Sequence, residues 1–306
     1  MPEIAYVTID VFTADRFGGN PLAVIPDARA LTDRQMQQIA AEFNYSESTF
    51  ILPPRDPGNT AQVRIFTRTS EIPFAGHPNV GTGFVLGRQQ TVFGTDVGPT
   101  MRFEEKAGLV DVDLTMENGL IVGAMIKAPG DLETGPNLDV ATMAECVSLP
   151  SDAIVEDRHA PTRVSVGLPF YMAETDITSL SMARPDAGAF AATVERHGLT
   201  DAGGRLSTFL YARTGDGVGH LRARMFSPLG GTVEDPATGS ACAALGAFLL
   251  SLDERAEAQA RILIEQGVEM GRPSEIAVDV RKAGGRVESV AISGRCVPVT
   301  RGVIEI

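Results

Sequence analysis

The first residues of the chain alternate between apolar and polar positions, which is the pattern of a half-buried β-strand. Val7, Ile9 and Val11 would all lie on the buried face of this strand. The segment FGGNPLAVIP turns on its glycines and leads into a second apolar run. A T-x-x-Q capping box that begins at Thr32 then precedes apolar residues at the spacing of one helix face. The start of the chain is therefore predicted to form two strands followed by a helix.

The later pattern has two similar halves. In the first half, strands are predicted over 48–53 and 61–67, and a helix from about His77. The elements predicted in the second half are a strand over 163–174, a helix near 186–198, strands over 207–213 and 220–226, and a helix from about Ser240. Strands follow one another more often than they alternate with helices. The pattern therefore favours an α+β fold over a doubly wound parallel sheet.

A repeated segment relates the two halves. EIPFAGHPNVGTGFVLG at 71–87 and EDPATGSACAALGAFLL at 234–250 both read E-x-P-x-x-G, then a polar residue, then an apolar run rich in small residues. Upstream, STFIL and RIF in the first half have counterparts in STFLY and RMF, in the same order. The repeat spacing of about 160 residues is the size of a whole domain, so we infer that one domain has been duplicated.

The composition along the chain indicates where the two domains meet. Residues 100–127 are rich in strand signals, whereas APGDLETGPNLD at 128–139 has the composition of a linker. We therefore predict a first domain over 1–127, joined by the C-terminal strand at about 294–306, and a second domain over 128–293.

Composition and charge exclude several classes of function. The chain has 306 residues, of which 43% are hydrophobic and 21% charged, as in a soluble globular protein. Its formal net charge of −13 opposes binding to nucleic acid or to an anionic membrane surface. The N-terminus has no signal-peptide pattern, and the three cysteines are widely spaced. We therefore expect a cytoplasmic protein with neither nucleic-acid nor membrane partners.

The repeated segment places a helix N-terminus after each E-x-P-x-x-G. Such an end has unpaired backbone N–H groups and a partial positive charge, so it attracts carboxylates and enolates. Gly76 and Gly239 allow a ligand to approach the backbone closely. If the two halves face each other, both helix ends would hold one substrate anion without a metal ion. The four histidines have no spacing typical of a zinc site, so no metal is expected.

Five segments carry a resemblance to a known family. In chain order they are FGGNPLAV, SESTF, PFAGHPNVGT, EDPATGSA and QGVEMGRPS, and together they resemble the PhzF-like family, a branch of the diaminopimelate epimerase-like fold. The resemblance implies two pseudo-symmetric domains, each with a strongly curved, barrel-like mixed β-sheet around a central helix, and an active site in the cleft between them. It also implies a homodimeric, cofactor-independent isomerase that moves a proton on a small carboxylate substrate.

The resemblance also implies roles for individual residues. Glu47 of SESTF matches the main acid/base, and the other positions predicted to be catalytic are His77 and Asp235. The positions predicted to bind substrate are Ser240, Thr238, Gly76, Gly239 and Asn20. Related epimerases place a cysteine at the start of both helices, where this chain has His77 and the Thr238–Ser240 turn. A racemase that uses two thiols is therefore disfavoured.

Other interpretations remain open at this point. The enzyme alternative is an epimerase or racemase of an amino or hydroxy acid, and the non-enzyme alternative is a small-molecule binding protein without catalytic activity. Each candidate residue also has a structural interpretation. These are a solvated strand edge for Glu47, a helix cap for His77 and for Ser240, a turn for Asp235 and for Asn20, and core packing for Cys242.

Overall fold

A computed structural model describes residues 3–199, 206–215 and 219–306. The helices in these residues are α1 (Asp33–Phe43), α2 (Gly76–Gln89), α3 (Val140–Cys146), α4 (Ile177–Met182), α5 (Ala187–His197) and α6 (Gly239–Ser251). The chain forms two compact units, one made of Met1–Lys127 with Ile292–Ile306 and the other of Ala128–Ala291.

The first unit contains a sheet whose strands pair in a closed ring. Its strands are β1 (Glu3–Val11), β2 (Asn20–Ile25), β3 (Glu47–Leu52), β4 (Ala61–Thr67), β5 (Glu71–Ile72), β6 (Thr91–Val92), β7 (Thr95–Asp96), β8 (Thr100–Glu105), β9 (Gly108–Glu117) and β10 (Leu120–Lys127). The ring runs β1-β2-β3-β4-β8-β9-β10 and returns to β1 through the end of β20 (Arg286–Glu305). The β2–β3 and β4–β8 pairs are parallel, whereas β1–β2, β1–β20, β3–β4, β8–β9 and β9–β10 are antiparallel. This is a mixed, barrel-like sheet.

The second unit repeats the order and direction of these pairings. Its strands are β11 (Glu133–Asn137), β12 (Ile154–Val155), β13 (Thr162–Ser165), β14 (Pro169–Thr175), β15 (Thr208–Arg213), β16 (His220–Ser227), β17 (Thr232–Asp235), β18 (Ala258–Gln266) and β19 (Ser274–Ala283), followed by the start of β20. The β14–β15 and β16–β18 pairs are parallel, as their counterparts β2–β3 and β4–β8 are. The predicted α+β class with curled sheets is thus confirmed.

Each sheet packs around one helix that is buried on nearly all sides. In α2 the residues from Gly76 to Gly87 are all buried, and α6 is buried along most of its length. Small residues let the sheet approach these helices closely. A Cβ atom on Gly83 would lie 2.5 Å from Val112 Cγ1, and one on Gly246 would lie 2.7 Å from Val278 Cγ1. Glycine therefore sets how closely the sheet surrounds each helix.

Of the other helices, α1 and α5 begin as the sequence predicts, whereas α3 and α4 were not predicted. Thr32 and Gln35 form the predicted capping box of α1, whose buried face is Met36, Ile39 and Ala40. In the second unit, α5 occupies the predicted position. Within the described residues, no helix is long and apolar enough to cross a membrane.

Two predictions about the second half are wrong. The stretch 163–174 is not one strand but the hairpin β13–β14, whose turn contains Gly167 with a φ of 134°. Positive φ is accessible to glycine, and here it reverses the chain within an apolar stretch that has no other break. The supposed linker at 128–139 contains the edge strand β11, which pairs with β13. Its exposure explains the polar composition that favoured a linker.

Candidate active site

The repeated sequence segment begins with an arginine–glutamate pair in each unit. Arg64 of the RIF segment donates to both carboxylate oxygens of Glu71, at 2.8 and 2.9 Å. Arg224 of the RMF segment does the same to Glu234, also at 2.8 and 2.9 Å. Bidentate pairs of this kind fix geometry as well as supply energy. They hold the E-x-P turn on its sheet directly before the central helix.

The two central helices start without a side-chain cap, unlike the peripheral ones. The N-cap residues of α2 and α6 are Ala75 and Thr238, and neither makes a side-chain capping hydrogen bond. Each of the other described α-helices has a threonine or aspartate side chain that accepts from its first turn, at Thr32, Asp139, Asp176 and Asp186. The starts of α2 and α6 also contain no acidic residue. Both ends therefore keep the electrostatic character that attracts an anion.

His77 and Glu47 lie together at the start of α2. Glu47 begins β3, and its Oε2 atom is 3.6 Å from His77 Nδ1. The Glu47 side chain is 19% exposed and that of His77 is 6% exposed. The glutamate is thus open to a ligand while the histidine behind it is shielded. The structure therefore brings together the acid/base residue and the histidine that the resemblance predicts.

Burial keeps the His77 imidazole neutral. Desolvation lowers the pKa of His77 from 6.5 to about 3. Its Nε2 atom is buried and has no hydrogen-bond partner among the described residues. A neutral imidazole has one donor and one acceptor nitrogen, so the ring can position Glu47 with Nδ1 while the hydrogen-bonding capacity of the buried Nε2 atom stays unused.

Hydrogen bonds on either side hold this pair in place. Thr82 Oγ1 in α2 donates to Thr49 Oγ1 in β3 at 2.9 Å, and both residues are fully buried. Because side chains alternate along a strand, Thr49 faces the same side of β3 as Glu47. On the segment before β3, Ser46 Oγ donates to Asn20 Oδ1 at 3.2 Å. Asn20, predicted to bind substrate, is therefore close to Glu47 in the fold and begins β2 rather than lying in a turn.

A different polar network surrounds the start of α6 in the second unit. Thr238 Oγ1 donates to Asp235 Oδ2 at 2.6 Å. Gln266 is fully buried, accepts from the Thr238 backbone N–H, and donates to the Asp235 carbonyl at 2.8 Å. Ser274 donates to the Pro236 carbonyl at 2.8 Å. The D-P-A-T-G-S turn is thus fixed from the strands β18 and β19, and the structure brings together Asp235, predicted to be catalytic, and Thr238, predicted to bind substrate.

The structure excludes two of the structural interpretations. His77 is the second residue of α2 and Ser240 the second residue of α6, so neither is the N-cap. Gly76 and Gly239 are the first residues of these helices and both are buried. Cys242 lies inside α6, fully buried, and burial raises the pKa of its thiol well above the usual value. It belongs to the core, as the sequence predicts.

Sequence reasoning missed Gln266 and the Thr49–Thr82 contact. Gln266 is the first residue of QGVEMGRPS, so the motif identified the segment without showing that its glutamine is buried. The position of Thr82 in the sequence gives no indication that its side chain contacts Thr49, because that contact depends on the fold. Among the described residues, no group of three or more His, Cys, Asp or Glu side chains is placed to hold a metal ion.

Comparisons with known proteins agree with this geometry. The family model for phenazine biosynthesis-like proteins, PhzC-PhzF, matches residues 9–302. The trans-2,3-dihydro-3-hydroxyanthranilate isomerase of Pseudomonas fluorescens is 38% identical over 304 residues, which cover 98% of both chains. The crystal structure of the Bacillus anthracis PhzF-family protein matches with a TM-score of 0.86 at 22% identity and covers 100% of both chains.

More distant structures share only the fold. A hydroxyproline epimerase from Agrobacterium vitis matches with a TM-score of 0.58 at 13% identity, over 99% of this chain and 91% of that one. The chain thus shares its fold with a PhzF-family protein and with this epimerase. The chain belongs to the phenazine biosynthesis-like, or PhzF, family. Its prediction as an isomerase is confirmed by relatives at 33–38% identity over nearly the whole chain that are named as isomerases.

Proposed function

We propose that the protein is a cofactor-independent isomerase that moves a proton between two carbons of a small carboxylate substrate, with Glu47 as the acid/base. The observation that carries this proposal is the partly exposed Glu47 carboxylate beside a buried, neutral His77 at a helix start without a side-chain cap. A general base needs a reachable carboxylate, and an anionic intermediate needs a preorganised positive field.

Glu47, His77 and the N-terminus of α2 each have a part in this mechanism. Glu47 takes the proton from one carbon and returns it to another. His77 stays neutral and positions Glu47 through Nδ1, while its Nε2 atom stays buried. The N-terminus of α2 stabilises the charge that develops when the proton is removed. The roles that the resemblance assigns to Asp235, Thr238, Gly239 and Ser240 stay predictions.

The names of the relatives indicate a first substrate to try. Three relatives that are 35–38% identical are named trans-2,3-dihydro-3-hydroxyanthranilate isomerases. This compound is a small cyclic carboxylate, the class that the resemblance implies. We therefore propose it, or a related unsaturated cyclic acid, as the substrate.

The test is turnover of this compound by protein dialysed against a metal chelator, with no cofactor added. We expect an isomerised product with a double bond in a new position. In D2O, deuterium enters the product wherever the abstracted proton exchanges before its return. Inversion at one centre without bond migration would identify an epimerase instead. A ligand that stabilises the protein and is recovered unchanged from it would identify a binding protein.

A homodimer and a cytoplasmic location are the remaining proposals, and both rest on the resemblance. Light scattering at micromolar concentration should give twice the mass of 32.4 kDa that the sequence predicts for one chain.

A further inference from the structure

A second buried acid lies next to the start of α2. Glu105 is the last residue of β8, and both of its carboxylate oxygens are buried without a hydrogen-bond partner among the described residues that meets normal geometry. The Asn79 side chain, in the first turns of α2, lies against this carboxyl. Asn79 is fully buried, and its Oδ1 atom also has no partner. The two carboxyl oxygens and the amide oxygen thus all lack a hydrogen-bond donor, which a proton on the carboxyl would supply.

Asn79 connects this acid to the turn that carries His77. Its Nδ2 atom donates to the carbonyl of Ala75, the N-cap residue of α2, at 3.1 Å. Two residues beyond the end of β8, the backbone N–H of Ala107 donates to the Pro73 carbonyl at 3.1 Å. The end of β8 is therefore attached to both sides of the turn before Gly76.

The hydrogen-bonding capacities of the two groups decide the protonation state that fits. A carboxylic acid offers one donor and one acceptor, so it can complement both the oxygen of an amide and the remaining N–H of that amide. A carboxylate offers only acceptors and leaves Asn79 Oδ1 without a donor. Burial is the larger influence on this group and raises the pKa of Glu105 from 4.5 to about 8, against a smaller opposite effect of Asn79.

The charged groups on the neighbouring elements have other partners. Lys106 lies 2.6 Å from Glu71, which Arg64 of β4 also binds. Glu104 accepts from the Asp56 backbone and from the Asn59 side chain, both at 2.9 Å. On α2, His77 is neutral because of burial. None of these groups supplies Glu105 with a counter-ion.

We propose that Glu105 acts as a neutral acid that, paired with Asn79, holds the first turn of α2 in the position that presents His77. Glu105 is a positioning residue for the reaction and not a catalytic one. Its ionisation disrupts the pair, so the enzyme loses activity on the alkaline side through this group. The part of this inference that concerns activity rests on the proposed function, whereas the protonation and the position of the turn do not.

The test compares the wild type with Glu105→Gln and Glu105→Leu. Glutamine keeps a donor and an acceptor and cannot ionise, whereas leucine keeps only the volume. The control Glu42→Gln removes a carboxyl from an exposed position on α1. With trans-2,3-dihydro-3-hydroxyanthranilate as the probe, wild-type kcat should fall about tenfold per pH unit above the pKa of Glu105. Glu105→Gln should stay flat there, as rescue by a neutral isostere requires. Glu105→Leu should have a low kcat with little change in KM at every pH.

Two readouts are independent of turnover. The melting temperature of the wild type should fall relative to that of Glu105→Gln as pH rises from 4.5 to about 8, and the difference should then stay constant, because the folded state binds this proton more tightly than the unfolded state does. Hydrogen exchange in residues 73–80, corrected for its intrinsic pH dependence, should accelerate above that pH in the wild type only.

The outcomes separate the two proposals. A wild type that fails to turn over the probe while both other readouts behave as expected contradicts the proposed function and supports the pairing. A difference in melting temperature that does not depend on pH overturns the neutral acid. Equal hydrogen exchange, or equal alkaline loss of kcat in the wild type and Glu105→Gln, overturns the positioning role.

Discussion

Helix α2 and helix α6 follow the same construction in the two units. Before α2, Arg64 binds Glu71 with two hydrogen bonds, and before α6, Arg224 binds Glu234 in the same way. Both arginines also lie over a phenylalanine ring two residues further along, with the guanidinium 5.1 Å and 4.8 Å from the ring centre. Both helices start with glycine and without a side-chain cap.

The polar groups around the two helix starts differ. At α2 they are a buried neutral His77 and a partly exposed Glu47, and at α6 they are Asp235 and Thr238, held by Gln266. The repeated segment therefore encodes a scaffold that turns the chain and starts a buried helix without a side-chain cap. The groups to which the proposed function gives a chemical role lie at positions where the two copies diverge. Substitutions in the two copies can separate the shared scaffold from the divergent chemistry.

The largest effect on stability should come from the arginines, and it should differ between the copies. The Arg224 side chain is 3% exposed and also donates to the carbonyls of Leu180 and Ala183, at 3.0 and 2.8 Å. Arg224→Ala removes the partner of Glu234 and of these carbonyls. The substitution should therefore lower the free energy of unfolding by about 3–5 kcal/mol. Arg64 is 17% exposed, and Glu71 retains Lys106 as a partner. Arg64→Ala should therefore lower the free energy of unfolding by only about 1–2 kcal/mol.

Urea unfolding of each variant measures these losses. Arg102→Ala is the control, since it removes an exposed partner of Asp111 and should change stability by less than about 0.5 kcal/mol. Equal losses of stability for Arg64→Ala and Arg224→Ala would contradict the inference that the more deeply buried arginine, Arg224, contributes more to stability.

Acid sensitivity should distinguish the α2 start from the α6 start. The folded-state pKa of His77 is about 3, below the unfolded value of 6.5, so the unfolded chain binds this proton first. Stability is therefore unaffected by this group above pH 6.5 and falls as pH decreases from 6.5 towards 3, by about 3 kcal/mol or more.

His77→Gln should remove this part of the acid destabilisation, as measured by the pH dependence of urea unfolding. The matched variant in the second copy is Ser240→Ala, because Ser240 occupies the same position in α6 as His77 does in α2. This variant should leave the loss of stability at low pH unchanged. An identical acid destabilisation in His77→Gln and in the wild type would mean that folding does not lower the pKa of His77, which contradicts a buried, neutral imidazole.

The close packing of the central helices should respond alike in both copies. Alanine at Gly83 or at Gly246 adds a Cβ atom that would lie 2.5 or 2.7 Å from a valine methyl group. Each substitution should destabilise its unit by about 1–3 kcal/mol. The measurement is thermal unfolding against Gly98→Ala, since Gly98 is exposed and an added Cβ atom would lie 3.7 Å from the Thr100 carbonyl oxygen, at ordinary contact distance. If Gly83→Ala and Gly246→Ala melt like the wild type, the glycines do not set the distance between helix and sheet.

The smallest effect should come from the Thr49–Thr82 hydrogen bond, which lies beside Glu47 and is shown only in the first copy. Thr82→Val removes the hydrogen bond to Thr49 and keeps the side-chain shape, which should lower stability by about 1 kcal/mol. If the contact also positions Glu47 relative to His77, kcat should fall several-fold while KM changes little. A fall in stability with unchanged kcat would confine this contact to the core.

Much of this architecture follows from the sequence, because its signals are local. The capping box at Thr32 and the alternation in β1 need only neighbouring residues. The repeat predicts the second helix from the first. The hairpin at Gly167 was missed because the apolar residues on both sides of the turn read as one continuous strand, although Gly167 and Pro169 lie between them.

The candidate site was predictable only in part, for a related reason. The segments that contain Glu47 and His77 were recognisable, but the 3.6 Å distance between them depends on how β3 packs on α2. Glu105, Asn79 and Gln266 have no sequence signal as a group, since they come from separate elements and matter through burial. Desolvation of a charged side chain is a property of the folded core and cannot be deduced from residue spacing.

The most direct test of the account concerns the group that distinguishes the first copy, Glu47. Glu47→Gln keeps the size of the side chain and removes its titrating carboxyl, while Glu42→Gln makes the same change at an exposed position on α1. With trans-2,3-dihydro-3-hydroxyanthranilate, turnover by Glu47→Gln should fall about 100-fold or more, as expected for loss of a general acid/base, while its melting temperature stays close to that of the wild type. Glu42→Gln should match the wild type in both measurements. Wild-type turnover and wild-type melting in Glu47→Gln would show that Glu47 is not the base.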